Sequence, residues 1–207
     1  MWEACTNKEY RWSTWVNVGI CFWHEVAGIN VINLYSNQIF ASGSSSLFSP
    51  RFGTLCLGFG NLIGALLGIK TIKTFNRRPI LIGGHVIFTI VHAFIGYMSH
   101  IGNQNGVLAG VFVFLVAYQA TSGPICLVYA AETSVDVALG FILATLYADV
   151  VVLSQVCPIL FEPKYLGPSG VFFMFAGFSM VATLYMWVYI KETKGLSDKD
   201  KKELYKS

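Results

Sequence analysis

Residues 14–40 read TWVNVGICFWHEVAGINVINLYSNQIF, an apolar run long enough to cross a bilayer that still carries His24, Glu25, Asn30, Asn33, Tyr35, Ser36 and Asn37 from its middle onward. A charge at the centre of a lipid-facing helix costs about 2.5 to 3.5 kcal/mol on insertion scales, so this segment belongs where side chains face a helix bundle or a water-filled cavity. At 100° per residue His24, Gly28, Val31 and Tyr35 fall on one face, and Asn30, Asn33 and Asn37 on another. A straight helix cannot gather both sets around one ligand. A break near Gly28 can, because unwound backbone at membrane depth is tolerated where it lines a cavity. Hydrogen bonding between packed spans is the alternative use of the same side chains.

Five further apolar runs follow, 53–72, 79–98, 106–131, 138–160 and 167–190, each near or above the roughly 20 residues a spanning helix needs. Short connectors rich in turn formers separate them, among them ASGSSS at 41–46, HIGNQNG at 100–106 and EPKYLGP at 162–168. The whole 207-residue chain agrees: 55% of it is hydrophobic, 12% is charged, and its mean hydropathy is +0.59. That is about half the charge of a soluble domain. The fold class is therefore all-α, a polytopic membrane protein with six transmembrane helices over 1–190 and a basic tail over 191–207. A net charge of +3 excludes a nucleic-acid module as a partner surface. Cys5, Cys21, Cys56, Cys126 and Cys157 form an odd set without a CxxC, and read as small buried hydrophobes rather than disulfides or metal ligands.

Six spans place both termini on one side, together with Lys8, Arg11, Lys70, Lys73, Arg77, Arg78 and the six lysines of the tail, while Arg51 and Lys164 face the other. The positive-inside rule makes the first side cytoplasmic, or the inner side of an organelle membrane. The start at Met1 reads as an initiator close to the first span, with neither a secretory signal nor a transit peptide. Gly60, Gly64 and Gly68 form overlapping GxxxG units, and Gly106 and Gly110 a third, which predicts close helix packing. In the tail, Ser197 to Asp200 fits a capping box opening a short surface helix over 198–205, with contact to anionic lipid as another role for its lysines.

Asp149 is the second intramembrane acid, near Tyr147, Ser154 and Gln155. A structural or interface role fits it better than proton coupling, because no relay accompanies it. His85 and His92 lie seven apart on one face, yet two histidines of one helix cannot clamp a haem iron from both sides. No nucleotide-binding loop, HExxH or Gly-flanked Ser nucleophile occurs, so neither an enzyme nor a cofactor or metal is expected.

Several segments together resemble the C-terminal six-helix half of the sugar porters, the hexose transporters of the major facilitator superfamily. Residues 24–36 are similar to the QQLSGINxxxYYS segment of the seventh of twelve helices, and Asn61, sixteen residues before Arg77, sits where the eighth carries an amide. Asn76-Arg77-Arg78 is similar to a Gly-Arg-Arg loop, Gly123-Pro124-Ile125 to the GPxPW turn, Glu132 to the acid that follows it, and Lys191 to Ser197 to PETKG(R/L)(S/T). The resemblance implies that His24, Glu25, Asn30 and Asn61 would bind a sugar, that Tyr35 would cap the site, and that Arg77 and Arg78 would pair with Glu132 as an inner-side charge latch.

This chain departs from the pattern at informative places. His24 and Glu25 replace both glutamines, Lys73 stands for an acid, Cys126 and Leu127 replace the proline and aromatic of the turn, and Leu139 stands for an arginine. Two functions are therefore expected. The first is an accessory or structural subunit of a larger membrane complex, such as one in a respiratory or other organelle membrane, not competent for transport alone. The alternative is facilitative or proton-coupled sugar transport, with an N-terminal transporter half as partner. Membrane lipids are partners in either case.

Overall fold

The structure is a computed structural model and describes residues 10–41 and 50–206. Met1, Cys5 and Lys8, the serine-rich connector after Ala41, and Ser207 lie outside them, as do the side chains of Tyr35, Asn37 and Arg51. Nine helices and no strands occur among the described residues: α1 (Arg11–Val26), α2 (Ile29–Ala41), α3 (Pro50–Thr74), α4 (Arg77–His100), α5 (Gln104–Ala120), α6 (Ser122–Thr133), α7 (Asp136–Phe161), α8 (Gly167–Tyr189) and α9 (Asp198–Glu203). Five segments are long and apolar enough to cross a membrane: 52–74, 77–100, 104–133, 136–161 and 167–189. The first hydrophobic run is split between α1 and α2, each shorter than a full crossing, which end to end supply a sixth.

The expected break is present. Gly28 has φ +90, a left-handed conformation that side chains rarely adopt, and its N–H turns back to the Glu25 carbonyl at 3.0 Å. The break leaves the Ala27 carbonyl without a helical partner, and the His92 Nε2 of α4 lies 2.9 Å from it, so this ring nitrogen carries the hydrogen. His92 is fully buried against Phe114 and Phe175, with ring centroids 4.4 and 5.7 Å away. His85 uses Nδ1 on its own helix, 2.9 Å from the Leu81 carbonyl. Both histidines thus serve backbone carbonyls.

A second break, at Thr121, divides the run read from the sequence as the single span 106–131. Thr121 takes φ −125 and ψ −88, and its hydroxyl donates to the Ala117 carbonyl at 2.6 Å, competing with the helix ladder. Pro124 then falls in the first turn of α6, where its missing N–H costs nothing.

Two buried clusters hold the helices together. Ile32, Phe88, Phe114, Phe172 and Phe175 centre one; Ile20, Leu81, Ile125, Tyr129, Ile142 and Met186 centre the other, toward the tail. The glycine seam of α3 lies on α5 as its spacing predicts. A Cβ on Gly64 would stand 2.8 Å from the Val116 carbonyl oxygen, and one on Gly68 2.5 Å from that of Gln119. Only hydrogen fits there.

Candidate functional site

The break brings Glu25, at the end of α1, against Asn30 in the first turn of α2, and the Asn30 amide donates directly to the Glu25 carboxylate. Glu25 is buried and Asn30 half-buried. One turn along α2, the exposed Asn33 accepts from the Asn61 amide of α3 at 3.4 Å, and Asn61 accepts in turn from Gln119 of α5 at 3.0 Å. Asn61 also donates to its own Leu57 carbonyl at 3.1 Å. A row of amides from three helices thus runs outward from the break, each a donor and an acceptor.

His24 goes elsewhere. Its ring is buried on Tyr118, with the Tyr118 hydroxyl 2.7 Å from Nε2 and Ser122 Oγ 3.0 Å from Nδ1, so both nitrogens are engaged inside the bundle. The Tyr35 side chain lies outside the described residues. Asn33 is one turn from Asn30, but Gln119, Tyr118 and Ser122 enter the site only through the fold. Their signal in the sequence is a cluster of polar groups, 118–122, interrupting an apolar span just before Gly123-Pro124.

At the other end of the bundle, Arg77 reaches Glu132 with Nη2 3.2 Å from Oε1, and Lys201 Nζ of the tail lies 3.6 Å from the same oxygen. Thr193 donates to the second oxygen at 2.7 Å. Arg78 departs from the expected pairing: its guanidinium binds the Trp187 carbonyl at 2.9 Å, while its backbone N–H and that of Arg77 donate to Glu192 at 3.1 and 3.0 Å. Glu192 therefore neutralises the exposed N–H groups and positive dipole end of α4.

The tail is docked on this cluster. Ser197 caps α9 by accepting from the Asp200 N–H at 3.2 Å, and the helix is shorter than the expected 198–205. Beyond it Tyr205 is buried, 2.6 Å from the Tyr129 hydroxyl and 2.8 Å from the Tyr189 carbonyl. Burial raises its phenol above the ordinary range and keeps the hydroxyl protonated. Four tail lysines face protein: Lys191 on the Leu204 carbonyl, Lys194 on those of Lys73 and Thr74, Lys201 on Glu132 and Lys202 on Asp136. Removing a buried aromatic costs about 3 to 5 kcal/mol, enough to undock so short a segment. Tyr205→Ala is accordingly expected to speed tryptic cleavage after Lys201 and Lys202 at least tenfold, measured by limited proteolysis and mass spectrometry; an unchanged rate would show that Tyr205 does not anchor the tail.

The family model described as sugar (and other) transporter matches residues 1–205. The chain belongs to this transporter family. Among its curated relatives, a probable metabolite transport protein, CsbC, of Bacillus subtilis is 27% identical over 88% of this chain and 41% of its own length. The galactose-proton symporter of Escherichia coli is 24% identical over 92% of this chain and 43% of its own. Solved structures agree in fold: a double-tryptophan mutant of XylE superposes with a TM-score of 0.85 at 21% identity, covering 94% of this chain and 43% of that one. The inward-open xylose transporter XylE from E. coli gives 0.81 at 22% identity, covering 93% and 42%. The chain therefore spans about two fifths of the length of the relatives it matches, and its fold is one half of a major facilitator.

Two other features of this family member lie beside the amide row. The four described cysteines are free, with Cys21 and Cys126 sulfurs 3.9 Å apart in the core. Asp149 lies midway along α7 and faces α1 and α8; no hydrogen bond joins it to Tyr147 or Gln155 among the described residues.

Proposed function

We propose that this chain forms one wall of a sugar pathway and acts together with a second six-helix unit that supplies the opposite wall. The observation that carries this is the row Glu25, Asn30, Asn33, Asn61, Gln119, drawn from four helices as two hydrogen-bonded groups one helical turn apart on α2, with the exposed Asn33 at its middle. Amides suit hydroxyl-rich ligands because each offers donors and acceptors at once. Left against lipid, such groups are costly, so the row calls for a covering partner and an aqueous path. On this reading Asn30, Asn33, Asn61 and Gln119 contact sugar hydroxyls, Glu25 orients Asn30, and His24 shapes the bundle behind them. Arg77, Glu132 and Lys201 form the inner-side latch, placing both termini and the Arg-rich loop on the inner face.

The test is thermal unfolding of the chain, recovered in mild detergent with whatever accompanies it, in D-glucose, D-xylose or D-galactose and in L-glucose. At least one D-sugar is expected to raise the melting temperature where L-glucose does not, and Asn61→Ala is expected to remove the effect. No stereoselective shift in the unsubstituted protein would overturn the reading.

The second reading, an accessory or structural subunit of a larger membrane complex that does not transport on its own, is favoured by one set of residues. Cys126, Leu127 and Leu139 stand where the resemblance implies moving parts of the transport cycle. On that reading other subunits cover the amide row. Stoichiometric co-purification with several membrane proteins, without any sugar-dependent shift, would support it.

A further inference from the structure

A cleft of about 290 Å³ opens between α1, α7 and α8, on a face of α1 adjacent to the one that carries Glu25. Its walls include Phe22, Trp23, Val26, Cys157 and Phe178, and its charged group is Asp149. The rings of Phe22 and Trp23 meet at 74° with centroids 5.0 Å apart, making an aromatic corner, and Phe178 stands on the facing helix. Asp149 is the fourteenth residue of the 26-residue α7, the middle of a membrane crossing and the depth where an ionised carboxylate is costliest. The other acid at this depth, Glu25, is paired to Asn30; Asp149 has no hydrogen-bond or ion-pair partner among the described residues.

From this we infer that the cleft is a binding site for an organic ammonium ion with an aromatic or alkyl body. Aromatic faces attract cations through the ring quadrupole, more strongly when water is excluded, and a single carboxylate among apolar walls supplies the counter-charge. The same cation relieves the cost of holding that carboxylate in the membrane, so charge complementarity favours it over a lipid tail, which would fill the volume and leave Asp149 unmatched. The site borders the amide row at Glu25, whose carboxylate lies near enough to Asp149 for the two to repel, an unfavourable pair that a bound cation also relieves; the proposal does not depend on the sugar reading.

Calorimetric titration of the full chain in lipid nanodiscs, with phenyltrimethylammonium and with its uncharged carbon isostere tert-butylbenzene, tests this. The cation is expected to bind saturably, and Asp149→Asn to weaken it at least tenfold while changing tert-butylbenzene binding less than twofold. Phe178→Leu, which keeps an apolar wall but removes a ring face, is expected to weaken the cation at least threefold and decides the matter if Asp149→Asn does not fold. Absence of saturable cation binding, or equal cation affinity in the variants and the unsubstituted chain, would overturn the proposal and mark the cleft as filled by lipid.

Discussion

Gly64→Leu is expected to lower the melting temperature of the protein by roughly 3 to 10 °C in mild detergent and to disconnect the amide row. Even the first carbon of a side chain at 64 would sit 2.7 Å from Gln119 Cβ and 2.8 Å from the Val116 carbonyl oxygen. Part of that obstacle is backbone, which cannot swing aside as a side chain can, so α3 must move off α5. Overpacking of this kind costs about 1 to 3 kcal/mol, and each kcal/mol corresponds to about 2 to 4 °C for a chain of this size. The displacement also pulls Asn61 away from Gln119, which now donates to it at 3.0 Å. Gly58→Leu, nearly two turns away with open space around it, is expected to leave both stability and binding unchanged. Equal tolerance at 58 and 64, read by thermal unfolding of the two variants, would show that the seam is not closely packed.

Gly28→Val is the second large effect. Valine at φ +90 is a backbone outlier costing about 1 to 3 kcal/mol, and its Cβ would lie 3.0 Å from the Phe175 ring. The least strained escape is to straighten the chain, which separates Asn30 from Glu25 and returns the Ala27 carbonyl to a helical partner, away from His92. Spin labels at Val18 on α1 and Ser36 on α2 are expected to report a longer distance in the variant, and the melting temperature to fall. Gly177→Val, in α8 where nothing lies within 4 Å of the added carbon, serves as the control. An unchanged label distance would mean that the break is imposed by the surrounding helices and not by Gly28.

The contrast between the two helix breaks shows what could be read from the residues. The break at Gly28 is legible because polar side chains too dense for a lipid-crossing helix surround a glycine, and both signals lie within a few positions. The break at Thr121 is marked in the sequence only by Pro124, which can kink a helix without dividing it, and the Thr121 hydroxyl bond to its own i−4 carbonyl adds no signal, since Thr89 and Thr183 make the same bond in unbroken helices. The six apolar runs and the glycine seam follow from composition and spacing alone. Asn30 is legible in the polarity of the first span and Asn61 through the resemblance, whereas Gln119 joins them only because α5 is laid against α3. Tail docking was equally hidden. A lone tyrosine after a lysine-rich turn reads as surface, and its burial depends on Tyr129 and the Tyr189 carbonyl, which arrive from two other helices.

On the proposed function the amide row faces an aqueous path and not lipid. With the native cysteines replaced, Asn33→Cys on the row and Leu184→Cys on the exposed side of α8 can be compared in membranes for reaction with a water-soluble, membrane-impermeant maleimide. The cysteine at 33 is expected to react at least tenfold faster than the one at 184, and the D-sugar that stabilises the protein is expected to slow it. Equal, slow reaction at both positions would contradict the proposed function, because the row would then be sealed in lipid or protein with no path for a sugar to reach it.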